Sequence, residues 1–191
     1  MAGSPPAGLP GLSLRVHGGE ARGRRLHTPR GIRPTSGQVV EAIFNMLGER
    51  VAGAHVLDLF AGSGALGIEA LSRGATRATF VELSQACASI LRRNLDELEY
   101  AGRADVVRAD AVRWVTGHPE LVAAANLVLL DPPYADRAAS AVLGALDGLA
   151  ASGTIVVAET GAGKDLPPLT RLHETRSRRY GDTDLHIYET T

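Results

Sequence analysis

The chain holds a single cysteine, Cys87, in 191 residues. No disulfide can form within it, and nothing points to an oxidising compartment. Long apolar runs are missing too. The longest, over residues 121–130, is about half of what a membrane-spanning helix requires and carries polar interruptions. Residues 1–11 lack both the basic start and the apolar run of a signal peptide; their Gly and Pro content reads as a disordered tail. The histidines (His17, His27, His55, His118, His173 and His186) show no metal-ligand spacing, so no metal is expected. There is no internal repeat. These absences exclude a membrane protein, a disulfide scaffold and a zinc module, and leave a soluble cytoplasmic protein as the expectation.

With 45% hydrophobic and 21% charged residues, an ordinary buried core is available, and the length suits one domain with a small appendage. The net charge of −1 is uninformative, but its distribution is not. Residues 1–33 hold six arginines against Glu20 alone, a net +5, whereas residues 34–163 hold nine basic and fifteen acidic residues, a net −6. A basic arm on an acidic body fits a polyanion docking at one edge; solvated arginines are the rival reading.

Periodicity gives an alternating order. Residues 12–27 read as a short hairpin turning at Gly18-Gly19. Thr35 or Ser36 then caps a helix over 39–47, with Ile43, Phe44 and Leu47 on its apolar face and Gly48 as its stop. Strands follow at 55–60, 79–81, 105–108, 127–130 and 154–158. Helices lie between them at 65–73, 84–98, 111–115 and 138–149. A βαβα order implies a doubly wound, mostly parallel α/β sheet. Tyr180-Gly181-Asp182-Thr183, between two extended runs, predicts an antiparallel hairpin at the end of that sheet. The domain division expected is a tail over 1–11, a basic arm over 12–35 and the α/β domain over 36–191.

The first strand runs into Asp58-Leu59-Phe60-Ala61-Gly62-Ser63-Gly64-Ala65-Leu66-Gly67. Gly62, Gly64 and Gly67 match a dinucleotide fingerprint, and Glu82 follows Gly62 by 20 residues, where such folds place a ribose-binding acid. That spacing alone admits NAD or FAD and an oxidoreductase. Asp58 argues otherwise, because a carboxylate at the strand end repels a pyrophosphate. It attracts the α-ammonium group of S-adenosylmethionine, while helix-start amides take the carboxylate of its methionine part. Glu82 then accepts the ribose hydroxyls and Asp110 the adenine amino group. The cofactor contacts expected are Asp58, Phe60, Ala61, Gly62, Ser63, Gly64, Glu82, Leu83, Asp110 and Ala111. For Asp58 and Asp110, helix N-capping is the competing assignment.

After the fourth strand comes Asp131-Pro132-Pro133-Tyr134. Two prolines fix the backbone and remove two N–H donors, leaving an acceptor-rich patch of the Asp131 carboxylate and the Pro132 carbonyl. An exocyclic amino group on a base presents two N–H donors to such a patch. Those hydrogen bonds orient a poorly nucleophilic nitrogen and stabilise the positive charge it gains on methyl transfer. Tyr134 offers a stacking face. These four residues are the catalytic candidates. Cys87 and Trp114 read as packing residues. Arg178 and Arg179, like the arm's arginines, read as phosphate contacts or solvated charges. A non-catalytic RNA-binding protein and an adenine or cytosine methyltransferase of DNA remain rivals.

The glycine turn with Asp131-Pro-Pro-Tyr134 resembles the Rossmann-fold amino-methyltransferases. Gly31-Ile-Arg-Pro-Thr35, Phe44-Asn45, Glu69-Ala-Leu-Ser-Arg-Gly-Ala75 and Tyr180-Gly-Asp-Thr183 further resemble the RsmD-type 16S ribosomal RNA guanine-N2 methyltransferases. The resemblance runs from about residue 14 to residue 188. It implies a seven-stranded class I methyltransferase sheet with an N-terminal hairpin extension and S-adenosylmethionine as donor. It also implies RNA contacts from the arm, assigned to Arg15, Arg22, Arg24, Arg25 and Arg33, and as partner ribosomal RNA or a small-subunit assembly intermediate; separately, a monomer is expected. The chain departs from the family in one place: Gly37-Gln38-Val39-Val40-Glu41 stands where an Asp-Arg-Val-Arg-Glu run is usual. Two missing arginines predict weaker, less salt-dependent RNA binding.

Overall fold

A computed structural model describes residues 14–29, 35–132, 138–164 and 166–191. The tail expected over 1–11 lies outside the described residues, as does Arg33. Seven strands form one sheet in the order β3-β2-β1-β4-β5-β7-β6. β1 (His55–Leu59), β2 (Arg77–Glu82), β3 (Ala104–Arg108), β4 (Leu127–Leu130) and β5 (Ile155–Gly161) are parallel. β7 (Thr183–Thr190) runs antiparallel between β5 and the edge strand β6 (Leu172–Tyr180). The doubly wound seven-stranded expectation is met, with the closing hairpin at the turn between Tyr180 and Thr183.

Helices cover both faces, and strand alternation sorts the side chains between them. Val56, Phe80, Leu129, Val157 and Ile187 point to the face of α1 (Gly37–Leu47), α2 (Ala65–Ser72) and α3 (Gln85–Glu97). Leu59, Val81, Leu130 and Val156 point to the face of α4 (Ala111–Gly117), α5 (Pro119–Ala123) and α6 (Ala138–Leu149). A strand such as Leu-Val-Leu-Leu, buried at all four positions, is apolar throughout because both of its faces are covered. The helix α5 has no counterpart in the sequence reading. Pro119 opens it, and five residues with Val122 as the buried one are too few to display a period. Among the described residues, no helix is long and apolar enough to cross a membrane.

The N-terminal hairpin closes through an Arg15–Arg25 bridge, with the Val16 amide donating to the Arg24 carbonyl (3.0 Å) and the Leu26 amide to the Leu14 carbonyl (2.9 Å). Its reversal is wider than the Gly18-Gly19 pair, because the loop is pinned to α2. The Glu20 amide donates to the Ser72 carbonyl and the Ala21 amide to the Ser72 hydroxyl, each at 2.9 Å. The few apolar residues of the hairpin (Leu14, Val16, Ala21 and Leu26) are all buried in the core that α1, α2 and α3 build. Ser36 is the cap of α1, its hydroxyl accepting from the Val39 amide. Thr35 is thereby free for another use.

Candidate active site at the switch point of the sheet

Strand order reverses between β1 and β4, where open α/β sheets bind ligands beyond the carboxyl ends of their strands. Leu59, Val81, Leu130 and Ala158 form one register row across β2, β1, β4 and β5. The next residues outward on β2, β4 and β5 are Glu82, Asp131 and Glu159; Asp58 lies one residue inward on β1. Alternation puts all four carboxyls on the face of α1, α2 and α3. Four acids thus stand at the ends of four neighbouring strands.

The glycine turn joins β1 to α2. The Phe60 and Ala61 amides both donate to the Val81 carbonyl, at 3.0 and 3.1 Å, which turns the chain out of the strand and leaves Phe60 at φ 69°. Gly64, at φ 85°, is the backbone cap of α2; a Cβ there stands 2.2 Å from the Leu91 side chain. Gly62, at φ 56°, faces open space instead, so the protein leaves the approach to its backbone clear. Ser63 is held from behind: its carbonyl accepts from the Asn94 side-chain amide at 2.9 Å.

Asp58 is buried, and one of its oxygens accepts the Gly67 amide at 2.9 Å. Gly67 is the third residue of α2, so Asp58 supplies from β1 the side-chain cap that Gly64 lacks. Capping and ligand binding are therefore not exclusive at this residue. Burial pushes its carboxyl up to about 7; the Gly67 amide opposes the rise, and the charges of Asp131 and Glu82 add to it. Glu82 accepts the Gly62 amide at 2.8 Å and the Ser84 amide at 2.7 Å, one on each oxygen, and each oxygen keeps a lone pair. Leu83 beside it is 67% exposed, an apolar surface presented next to an acid. Asp110 caps α4 through the Arg113 amide at 2.9 Å, and Ala111 is buried in the first turn of that helix. The capping reading of Asp110 holds for one oxygen.

Across the switch point, the Asp131 carboxylate accepts the Thr35 hydroxyl. Burial pushes Asp131 up, and the Thr35 hydrogen bond pulls it back. Pro132 is buried; Pro133 and Tyr134 lie outside the described residues. Glu159, next in register on β5, is 2% exposed, and its Oε1 has no hydrogen-bond partner among the described residues. Burial first, and the Asp131 charge second, push it up to about 9.

Thr35, Asn94 and Glu159 escaped the sequence reading. Thr35 competed with Ser36 as a cap. Asn94 sits mid-helix, yet it donates to the His27 and Ser63 carbonyls and accepts the His27 amide at 2.8 Å, tying the hairpin to the glycine turn. Glu159 carries the one usable signal, an acid closing the otherwise apolar run Ile-Val-Val-Ala.

Arg15, Arg22, Arg24 and Arg25 are exposed, as surface contacts require. Arg15 and Arg24 donate to the Gly23 and Glu97 carbonyls, at 3.0 and 2.7 Å. Among the described residues, Arg22 and Arg25 make no ion pair. The expected loss of two RNA-facing arginines from α1 is corrected at one position: Val40 is 2% exposed and packs into the core, so its side chain does not face solvent, and the missing charge is left to Gln38.

The model of the family described as conserved hypothetical protein 95 matches residues 14–189. A Bacillus subtilis protein, YlbH, provisionally named an rRNA methyltransferase, is 38% identical over 181 residues, which cover 92% of this chain and 98% of that one. Ribosomal RNA small subunit methyltransferase D of Escherichia coli (strain K12) is 44% identical over 125 residues, 63% of this chain and 60% of that protein. The solved structure of YhhF from Escherichia coli, provisionally described as a methyltransferase, superimposes with a TM-score of 0.81 at 32% identity, covering 93% of this chain and 98% of that one.

Proposed function

Because the chain belongs to the family described as conserved hypothetical protein 95, that of the RsmD-type ribosomal RNA methyltransferases, we propose that it methylates the N2 amino group of a guanine in small-subunit ribosomal RNA, with S-adenosylmethionine as donor. In this reading the protein works as a cytoplasmic monomer on ribosomal RNA or on an assembly intermediate of the small subunit. The arm over residues 12–35 contacts RNA through Arg15, Arg22, Arg24, Arg25 and Arg33, and the domain over 36–191 performs the chemistry.

The observation that carries the reading is the sharing of one sheet face by Asp58 and Glu82 on one side of the switch point and Asp131 on the other. S-adenosylmethionine, when bound, supplies an electrophilic methyl on a sulfonium. The buried Asp58 carboxylate pairs with its ammonium group, which suits an acid that burial leaves short of a cation. Glu82 uses its remaining lone pairs for the ribose hydroxyls. Phe60, Ala61, Gly62, Ser63 and Gly64 wrap the methionine part, while Leu83, Asp110 and Ala111 border the adenine. Asp131 and the Pro132 carbonyl accept the two N2–H groups of guanine, and Tyr134 stacks on the base. The guanine nitrogen forms its bond to the methyl carbon as the carbon–sulfur bond breaks, and the surplus proton passes from N2 to the Asp131 carboxylate.

Incubation with labelled S-adenosylmethionine and separate pools of naked ribosomal RNA, small subunits and DNA, followed by nucleoside mass spectrometry, tests this. The expected product is N2-methylguanosine from small-subunit RNA. Label in DNA, or in a different nucleoside, overturns the assignment.

A further inference from the structure

Glu159 is unexplained by the chemistry above. It is a buried acid with an orphaned oxygen, on a strand that donates nothing else to the site. A buried polar atom left without a partner is costly, and a bound ligand is one way to supply the missing bond. Three observations place this one beside Asp131. Glu159 follows Ala158, which is paired with Leu130, just as Asp131 follows Leu130. Its partner on β7, Leu185, belongs to the core on the face of α1, the face from which Thr35 reaches Asp131. The Asp131 charge acts on Glu159 directly. Adjacent strands lie about 4.8 Å apart, a separation comparable to the width of a purine's hydrogen-bonding edge.

On these grounds we propose that Glu159 is the residue that selects guanine, its carboxylic acid accepting from N1–H and donating to O6 while Asp131 and Pro132 hold the N2 amino group. The inference rests on the guanine-N2 reading and deepens it. The proton inventory is favourable. Burial first, and the Asp131 charge second, push Glu159 up to about 9, so at neutral pH it keeps its proton and presents a hydroxyl donor beside a carbonyl acceptor. Guanine, read from O6 through N1 to N2, offers an acceptor, a donor and two further donors, and each meets its complement. Adenine and cytosine place an acceptor ring nitrogen beside their amino group. Either base leaves the Glu159 carbonyl oxygen facing no N–H donor. A site built to hydrogen-bond a substrate group rejects analogues lacking that group more strongly than shape alone can.

The test uses the full chain and a synthetic RNA carrying the target guanine, or 2-aminopurine in its place. 2-Aminopurine retains the amino group to be methylated but lacks O6 and N1–H. Wild type is expected to favour guanine in kcat/KM by about 10- to 100-fold. E159L is expected to bring that ratio near unity, chiefly by slowing the guanine reaction, with S-adenosylmethionine affinity unchanged by calorimetry. E159Q, whose amide also sets an N–H donor beside a carbonyl acceptor, keeps a clear preference for guanine. Where E159L does not fold, E159D serves, since it withdraws the same group by one methylene and is expected to lose the preference. A wild-type ratio near unity, or an E159L or E159D that keeps the wild-type ratio, overturns the assignment of Glu159. A wild type that methylates no guanine overturns the functional reading itself, which separates the two failures.

Discussion

At the ends of β1 and β2 the carboxylates are already partnered: Asp58 by the Gly67 amide at 2.9 Å, and Glu82 by the Gly62 and Ser84 amides at 2.8 and 2.7 Å. At the ends of β4 and β5, Asp131 has the Thr35 hydroxyl and Glu159 leaves an oxygen without a partner among the described residues. The first pair sits inside backbone that folds around it, so its geometry is set before any ligand arrives, and pre-ordering of this kind lowers the entropy lost on binding. The second pair is short of partners, and the guanine edge supplies them: N1–H and N2–H donors beside the O6 acceptor. One half of the cleft is built to hold and the other to be completed.

The sharpest way to break this contrast is at Asp131. D131A removes the acceptor that aligns the amine and balances its developing charge. Methyl transfer is expected to fall by about 10³-fold or more, in line with the removal of other preorganised electrostatic partners. Cofactor affinity, measured by calorimetry well above pH 7 where Asp58 is ionised with or without the Asp131 charge beside it, is expected to stay within about twofold, because Asp131 supports no part of the glycine turn. A joint collapse of both quantities merges the halves into one site.

Asp58 tests the holding half. D58N is expected to weaken S-adenosylmethionine binding by about 10- to 100-fold, the scale on which a buried, charge-assisted hydrogen bond acts. The pH dependence carries a sign. Burial holds the Asp58 carboxyl near 7 in the free protein, and a cationic ammonium pairs with its ionised form. Affinity therefore rises as pH increases through about 7, releasing a proton on binding below that value, and D58N flattens the rise. Calorimetry in buffers of differing ionisation enthalpy measures the proton. A wild-type affinity independent of pH reduces Asp58 to a helix cap.

Glu159 tests the half awaiting completion through the stability of the free protein. Its carboxyl is raised to about 9 in the fold and is ordinary in the unfolded chain. Its contribution to stability is fully present below about pH 4, where both states hold the proton, and is lost as pH rises toward 9. E159Q holds no proton to lose. Denaturant titrations at pH 6 and pH 9 are expected to show wild type losing on the order of 1–3 kcal/mol more than E159Q between the two. Parallel pH profiles for the two proteins place Glu159 in water, against its burial.

The same contrast separates what the sequence disclosed from what it hid. The parallel order, the glycine turn and the four-residue motif after β4 are local patterns, readable because each is written in consecutive residues. So were Asp58, Glu82 and Asp131, whose positions at strand ends follow from counting. Thr35, Asn94 and Glu159 matter through partners 96, 67 and one strand away, and such pairings exist only once the chain is folded. Val40 shows the same limit from the other side. Its position in a motif suggested that a surface charge was missing, whereas the amphipathic face of α1 turns that position into the core.

The hairpin completes the comparison, because its hydrogen bonds to α2 and α3 fasten it to the holding half. Asn94 joins His27 to Ser63, and Ser72 and Glu69 of α2 take the Ala21 and His17 amides at 2.9 and 2.7 Å. Its outward arginines divide in two. Arg15 and Arg24 are committed to carbonyl oxygens, whereas Arg22 and Arg25 make no ion pair among the described residues. Replacing the second pair with serine leaves Leu14, Val16, Ala21 and Leu26 in the core, so folding and cofactor binding are expected to be unchanged. If both arginines neutralise phosphates, the slope of log affinity against log salt falls by roughly 1.4 to 1.8, at about 0.7–0.9 per phosphate. RNA affinity at moderate salt drops a few-fold, while kcat at saturating RNA stays put. An unchanged slope in R22S/R25S makes these two arginines solvated charges and moves the RNA-binding surface off the arm's tip.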